Sequence, residues 1–516
     1  MIAFEKIATS LAEAGCTLAF CVPGGGPNLD LIVALNERNI NFVLAHTETG
    51  AAIMAATHGL LTEAPSAVIV TRGPGAAAVV NGATSATLDR APLVVITDCV
   101  PQARREAIGH QRFDQRAMLR PVTLRTARVG NDVDEAVLGE LIATCLGPPA
   151  GAIHIDLDAT ATTDVDPLAP SVEIPTELLV DADTMRATLQ QAVSPVVIVG
   201  EHAPLELIGT LEGYNAPVLT TYQGAGALPE GHALLAGAFT NATPEKPLLR
   251  DADLVILVGY DDVESLPGVW PESGTVVAID PQRIRHHLAP VTMQYIGHPA
   301  EVMTQRTDST GREPQAHLAA LRSRLADSSR PLGPIALVKA AAELWPTECV
   351  VTVDAGAHFL AVMPIWPIAR RHQVLISNGL ATMGYALPAA IGAATADPNR
   401  PVIAFTGDGG LHMVLSELET LQRLNLPVVV AVFNDSELTL IRLKQKAGQG
   451  GSAAVAYGLT DFAAVANGMG LTATVVTEGE QLPVAFERAL ASGRPHLVDV
   501  RLDATEYDHI LQVSRG

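Results

Sequence analysis

Asp408 stands in the run TGDGG, just past the apolar stretch PVIAF, and Asp435 stands just past the next one, PVVVAVFN. Two strand ends that each finish in a hard oxygen ligand describe a place to hold a divalent cation together with an anion. Gly407, Gly409 and Gly410 let a backbone turn sharply and approach a ligand. Amides at the start of a following helix favour negative charge. Two carboxylates with a carbonyl or two suit Mg²⁺, which keeps ~6 oxygen ligands and bridges to phosphates. Gly-Asp-Gly alone reads equally well as an ordinary polar turn. The segment in between shifts the reading. LHMVLSELETLQRL has helical spacing, with Leu411, Val414, Leu415, Leu418, Leu421 and Leu424 on one side, and PVVVAVF reads as a strand. In such a βαβ unit both strands run the same way, so Asp408 and Asp435 open onto one edge.

Positioning these groups takes a large scaffold. At 516 residues the chain is too long for one core, and at 48% hydrophobic and 17% charged it reads as a large enzyme with much buried sheet. Strand-like and helix-like stretches alternate throughout, the pattern of parallel sheets covered by helices on both faces. The expected fold is α/β, in three doubly wound parallel-sheet domains. Residues 1–165 carry LAFCV, NFVLAH, SAVIVT, PLVVITD and GAIHIDLD, and a Pro- and Asp-rich linker follows. Residues 180–325 carry PVVIVG, APVLTT, DLVILVG and TVVAID; residues 335–516 carry CVVTVD, QVLISN, PVIAFTGDG, PVVVAVFN and HLVDVRLD.

Several classes are excluded. A net charge of −22, from 33 basic and 55 acidic residues, argues against nucleic-acid binding. No apolar run reaches the ~18 residues of a membrane span. The start, MIAFEKIATS, has an acid at Glu5 and no signal-peptide pattern. The five cysteines form no CxxC, so neither zinc nor a disulfide framework is expected. A cytoplasmic enzyme is the expectation.

GDGGLHMVLSELETLQRLNLPVVVAVFND resembles the signature of the thiamine diphosphate enzymes: Gly-Asp-Gly, a helix and a strand, then Asn-Asn or Asn-Asp. The resemblance spans the chain in the order pyrimidine domain, central domain, diphosphate domain. It implies that Asp408, Asp435 and the Glu437 carbonyl hold Mg²⁺. The metal, Gly409, Gly410, Asn434 and Leu438 would then hold the cofactor's diphosphate. Glu48, which follows a strand and opens a helix in AHTETGAA, resembles the glutamate that activates the cofactor; by itself it is a first-turn acid favoured by the helix dipole. TRGPGAAAVVNG, with Pro74, resembles the segment beside that glutamate, and CVPGGGPNL, with Gly25, the loop over the reactive carbon. SNGLATMGYALPAA resembles the segment that bends the cofactor, Ala381 holding the pyrimidine and Met383 wedging between the rings; a methionine is otherwise a common core filler. VDAGAHFLA would place Gly356 and His358 near the diphosphate, His358 reading almost as well as a surface histidine.

Within the family the chain is similar to the acetolactate synthases, especially the catabolic form. GHQRFDQRAMLRPVT would bring His110 and Gln111 to the substrate, although Leu124 stands where that branch has a lysine. The segment VILVGYDDVES has Tyr260, Asp261 and Asp262 where flavin-bearing relatives place an arginine, so FAD is not expected. AGQGGSAAVAYG reads as a lid over the site. The implied partners are a 2-oxo acid and a second copy of the chain, a homodimer being the smallest competent unit and homotetramers usual. The alternatives are a decarboxylase or lyase of the benzoylformate decarboxylase type, or a member that keeps the fold without catalysis.

Overall fold

A computed structural model describes residues 1–168, 173–306, 313–327, 329–445, 449 and 451–516. Three sheets follow one another along the chain. The first contains β1 (Leu18–Val22), β2 (Asn41–Leu44), β3 (Ser66–Val70), β4 (Leu93–Asp98), β5 (Arg125–Val129), β6 (Ala152–Leu157) and β7 (Asp164–Val165), in the order β2-β1-β3-β4-β6-β5-β7. The second contains β8 (Pro195–Val199), β9 (Val218–Thr220), β10 (Leu235–Ala238), β11 (Leu254–Val258), β12 (Thr275–Asp280) and β13 (Val291–Ile296), in the order β10-β9-β8-β11-β12-β13. The third contains β14 (Val350–Val353), β15 (Val374–Ile376), β16 (Val402–Gly407), β17 (Val428–Asn434), β18 (Thr472–Val476) and β19 (His496–Arg501), in the order β15-β14-β16-β17-β19-β18. All pairings are parallel except β5 with β7, a two-residue antiparallel edge. The central strands β3, β4, β8, β11 and β17 are buried at every residue, as sheets covered on both faces require.

The sequence signal misses five strands, β5, β7, β10, β13 and β18. Four of them are short or half-exposed edge strands, and β5, Arg-Thr-Ala-Arg-Val, carries two arginines in place of an apolar run. The single helix expected after Gly-Asp-Gly is two, Asp408–Met413 and Glu417–Leu424, with Val414 between them in a non-helical conformation.

That break delivers Glu417 to the junction between the first and third domains. Its side chain is fully buried and accepts hydrogen bonds from the His46 amide (3.2 Å), the Thr47 amide (2.9 Å), the Thr47 hydroxyl (2.8 Å) and the Thr420 hydroxyl (2.8 Å). Beside it the helices Glu48–Thr62 and Ala386–Ala396 pack closely through Ala and Gly; a Cβ on Gly392 would lie 2.4 Å from the Met54 carbonyl oxygen. Val68 and Val95 of the first sheet thus share one core with Ala404 and Val430 of the third. The central domain is tied to both neighbours by ion pairs, Arg90 with Asp261 on one side and Arg371 with Glu201 (3.2 Å) on the other. Glu417→Ala leaves three part-buried donors of the first domain without their acceptor. Charge-assisted bonds contribute about 1.5–3 kcal/mol each and an unpaired buried donor costs about 1–3 kcal/mol. Denaturant unfolding is therefore expected to show a loss of about 3 kcal/mol or more; a midpoint unchanged from wild type would refute this anchoring role.

Candidate functional site

β16 and β17 are neighbours in register, Gly407 opposite Phe433, so their carboxyl ends emerge side by side. Asp408 starts the helix after β16, and Asp435 lies just past β17. Asp408 Oδ2 accepts the Ser436 amide at 2.6 Å, which ties the two strand ends directly. Its Oδ1 accepts the Gly409 amide (2.7 Å) and the Tyr457 hydroxyl (2.7 Å). Asp435 accepts the Thr439 hydroxyl at 2.5 Å and the Glu437 amide at 3.3 Å. A carboxylate offers about four lone-pair positions. One position on Asp408 and two on Asp435 therefore remain for a cation. Burial raises both carboxyl pKa values, that of Asp435 up to about 7, and the nearby Asp408 charge adds to the rise. A divalent cation between them would relieve that strain. Among the described residues no group of three or more His, Cys, Asp or Glu side chains forms a metal site, so any ion here must complete its shell with carbonyls, water or a ligand's oxygens.

A cavity of about 270 Å³ opens above this pair, lined among others by Gly356, His358, Ala381, Met383, Gly409, Gly410 and Leu438. Its floor has no room for larger residues. A Cβ on Gly409 would meet Leu438 Cδ2 at 2.8 Å and the Tyr457 hydroxyl at 2.9 Å; one on Gly410 would meet Asp354 Oδ2 at 2.7 Å. His358 is buried, lies tilted against Phe433 with ring centroids 5.3 Å apart and leaves Nε2 without a partner, and burial pulls its pKa down to about 4. It is not a surface residue. Met383 reaches within 3.4 Å of the Gly409 Cβ position, and Ala381 holds a φ of 54° in the loop before it. The cradle, the free carboxylate positions and the orphaned imidazole nitrogen fit a diphosphate–metal group.

The side chain of Asn434 turns the other way. Its Nδ2 donates to Asp499 (2.8 Å) and to the Thr460 carbonyl (3.0 Å), and it does not line the cavity. Those bonds tie the end of β17 to β19 and to the segment before Phe462, while the Asn434 Oδ1 is buried without a partner. Glu437 presents its carboxylate to Arg442 (2.7 Å), leaving only its main chain to face the cavity.

Two residues of the site were not singled out by the sequence motifs. Asp354, fully buried at the end of β14, accepts the Gly384 amide (2.8 Å), the Ala355 amide (2.9 Å) and the Thr406 hydroxyl (3.0 Å). It thereby joins the Met383 loop to the Gly-Asp-Gly turn; burial pushes its pKa up to about 6. The available signal was a third acid past a third apolar strand, in VVTVDAG. Tyr457 reaches Asp408 from a segment that pairs with the Asp435 loop through Leu438 N to Val455 O (2.9 Å) and Tyr457 N to Ser436 O (3.1 Å). Of the stretch read as a lid, residues 447, 448 and 450 lie outside the described residues.

Glu48, Pro74, Gly25, His110 and Gln111 do not line this cavity. They gather on the carboxyl edge of the first sheet. Glu48 is the first residue of its helix, capped by Thr47, and its Oε1 lies 3.4 Å from a Cβ position on Gly75, next to Pro74. Gln111, at φ 55°, packs on Gly73, while Gly25 and His110 face solvent. One chain thus presents two half-sites on different sheets.

The central sheet has its own carboxyl-edge crevice, and acids fill it. Glu264 is buried there, accepting the amides of Glu201 (3.1 Å) and Asp261 (2.9 Å), and burial pushes its pKa up to about 8. Asp261 pairs with Arg90 and with His202 (3.1 Å), and Asp262 accepts the amides of His287 and Leu288.

Comparison with known proteins agrees with this geometry. Residues 1–118 match the thiamine pyrophosphate enzyme N-terminal TPP binding domain, residues 182–305 its central domain, and residues 354–500 its C-terminal TPP binding domain. The chain is 29% identical to acetolactate synthase of Bacillus subtilis, over 97% of this chain and 93% of that protein. It is 27% identical to the catabolic acetolactate synthase of Raoultella terrigena and to the acetolactate synthase isozyme 1 large subunit of Escherichia coli, over 97% of this chain and 94% of each. With three parallel-sheet domains in that order, the chain belongs to the thiamine pyrophosphate enzymes, in their acetolactate synthase-like branch.

Proposed function

We propose that the chain is a thiamine diphosphate- and Mg²⁺-dependent enzyme that decarboxylates a 2-oxo acid and protonates the remaining acyl unit or joins it to a second carbonyl. The observation that carries this reading is the Asp408–Asp435 pair, with lone-pair positions left over, beside a glycine cradle where any larger residue would press on Leu438, Tyr457 or Asp354. When bound, the cofactor supplies a carbon nucleophile and an electron sink. The chain supplies the rest. Asp408, Asp435 and the Glu437 carbonyl hold the metal; Gly409, Gly410 and Leu438 bound the diphosphate; His358 and Gly356 close its far side. Met383 and Ala381 set the bend. The Glu48 carboxyl holds and returns a proton at the cofactor's aminopyrimidine, and Gly25, His110 and Gln111 face the substrate.

Because Glu48 and Asp408 sit in separate half-sites of one chain, two copies are needed for a complete centre. A homodimer is the minimum and a homotetramer fits the family habit. The retention of Glu48, Asp408 and Asp435 together favours catalysis over a scaffold role. A cytoplasmic setting fits the composition, and no helix among the described residues is long and apolar enough to cross a membrane. We further propose that FAD plays no part: a flavin diphosphate in the central crevice would meet Asp261 and Asp262 as like charges.

Thiamine diphosphate with Mg²⁺ should raise the melting temperature, since only the folded state binds them, and a chelator should reverse the rise. Asp408→Ala should abolish it; a shift equal to that of wild type would remove Asp408 from the metal site. The purified protein should show no flavin absorbance near ~450 nm, the acidic crevice being the reason. Stoichiometric flavin in a fresh preparation would overturn that view. Glu48→Gln should keep the fold and most cofactor affinity but slow hydrogen–deuterium exchange at the cofactor's C2 by ~10²–10⁴, the usual worth of a positioned acid–base group. Exchange at the wild-type rate, with cofactor demonstrably bound, would make Glu48 a helix-start residue only.

A further inference from the structure

A second cavity, of about 550 Å³, opens at the carboxyl ends of β4, β5 and β6. Arg105, Arg112, Arg116, Arg120 and Arg128 all line it, in a chain whose net charge is −22. Two of the five are committed elsewhere. Arg116 pairs with Asp164 (2.8 Å) and Asp166 (2.7 Å), and Arg120 with Asp166 (2.8 Å). Arg128 makes a longer ion pair with Asp156, at 3.7 Å and beyond hydrogen-bond range, and its Nε is buried without a partner. Among the described residues Arg105 and Arg112 make no ion pair, and Arg105 donates only to the Val100 carbonyl, at 3.4 Å. Asp156 itself is occupied by the Gln115 amide and the Thr97 hydroxyl, and the other lining acid, Asp114, caps the Gln115–Leu119 helix through the Ala117 amide.

Guanidinium forks without carboxylates are matched by oxyanions, which accept two parallel N–H bonds from each fork. The volume is that of a small-molecule site. Its position narrows the choice of ligand. Gln111 belongs to the cavity wall and packs on Gly73, and Gly75, two residues on, touches Glu48. The cavity therefore lies along the same sheet edge as Glu48, with Gln111 and Gly73 between them.

We propose that this cavity holds an oxyanionic group (carboxylate, sulfonate or phosphate) at the far end of the 2-oxo acid or of its carbonyl acceptor. The link to substrate rests on the function proposed above; the anion site itself does not. Calorimetric titration with inorganic phosphate tests the site, with thiamine diphosphate and Mg²⁺ present and again without them. Phosphate should bind in both cases, and Arg105→Ala/Arg112→Ala, on a surface loop, should weaken binding at least tenfold. Arg128→Met should act in the same direction. Absence of binding, or equal binding by these variants, overturns the site whether or not the cofactor binds. Phosphate should also compete with 2-oxoglutarate, which has a distal carboxylate, more strongly than with pyruvate, which has none. Binding without such competition would overturn the substrate assignment and give the cavity to a free anion.

Discussion

The close approach of two small-residue helices, Glu48–Thr62 and Ala386–Ala396, is the constraint on which both half-sites depend. Alanine and glycine at the contact let the backbones come near enough for Gly392 to touch the Met54 carbonyl. The first of these helices begins at Glu48, and the second follows directly on the Ala381–Met383 loop. Larger side chains would separate the helices and carry each half-site with them, because protein interiors transmit such volume changes to their neighbours. Glu417 acts at the same seam from the polar side, satisfying the turn that leads into Glu48.

Within the third domain the equivalent part is played by Asp354. A single buried carboxyl holds the loop of Met383, the residue before Gly-Asp-Gly and the start of its own turn. The ligand-facing residues are thus set by groups behind them, and the cavity floor is shaped by the absence of side chains at Gly409 and Gly410. The acids of the central domain are spent on main-chain amides and on arginines from either neighbour, so its contribution is to brace the other two.

Much of this was legible in the sequence, for a physical reason. Central strands of parallel sheets are continuous apolar runs, and metal and phosphate sites at their ends need acids and glycines at definite places; Asp408, Asp435, Gly409 and Gly410 wrote that pattern plainly. Edge strands such as β13 and β18 mix polar with apolar residues and leave a weak period. Tyr457 and Glu417 act on groups 49 and 371 residues away in the chain, and no local pattern reports such partners.

The junction at Glu417 also bears on how the chain comes into being. The apolar face of the Glu48–Thr62 helix is covered by the third domain, and the residues joined by the His46–Glu417 bond lie 371 positions apart. A ribosome adding ~5–20 residues per second needs roughly 20 to 75 s to traverse that interval. Throughout it the first domain emerges with an alanine-rich surface bare and its natural cover unmade. Nascent copies on neighbouring ribosomes present the same bare surface to one another. The chain should therefore lean on chaperones during synthesis far more than its finished, well-covered sheets suggest.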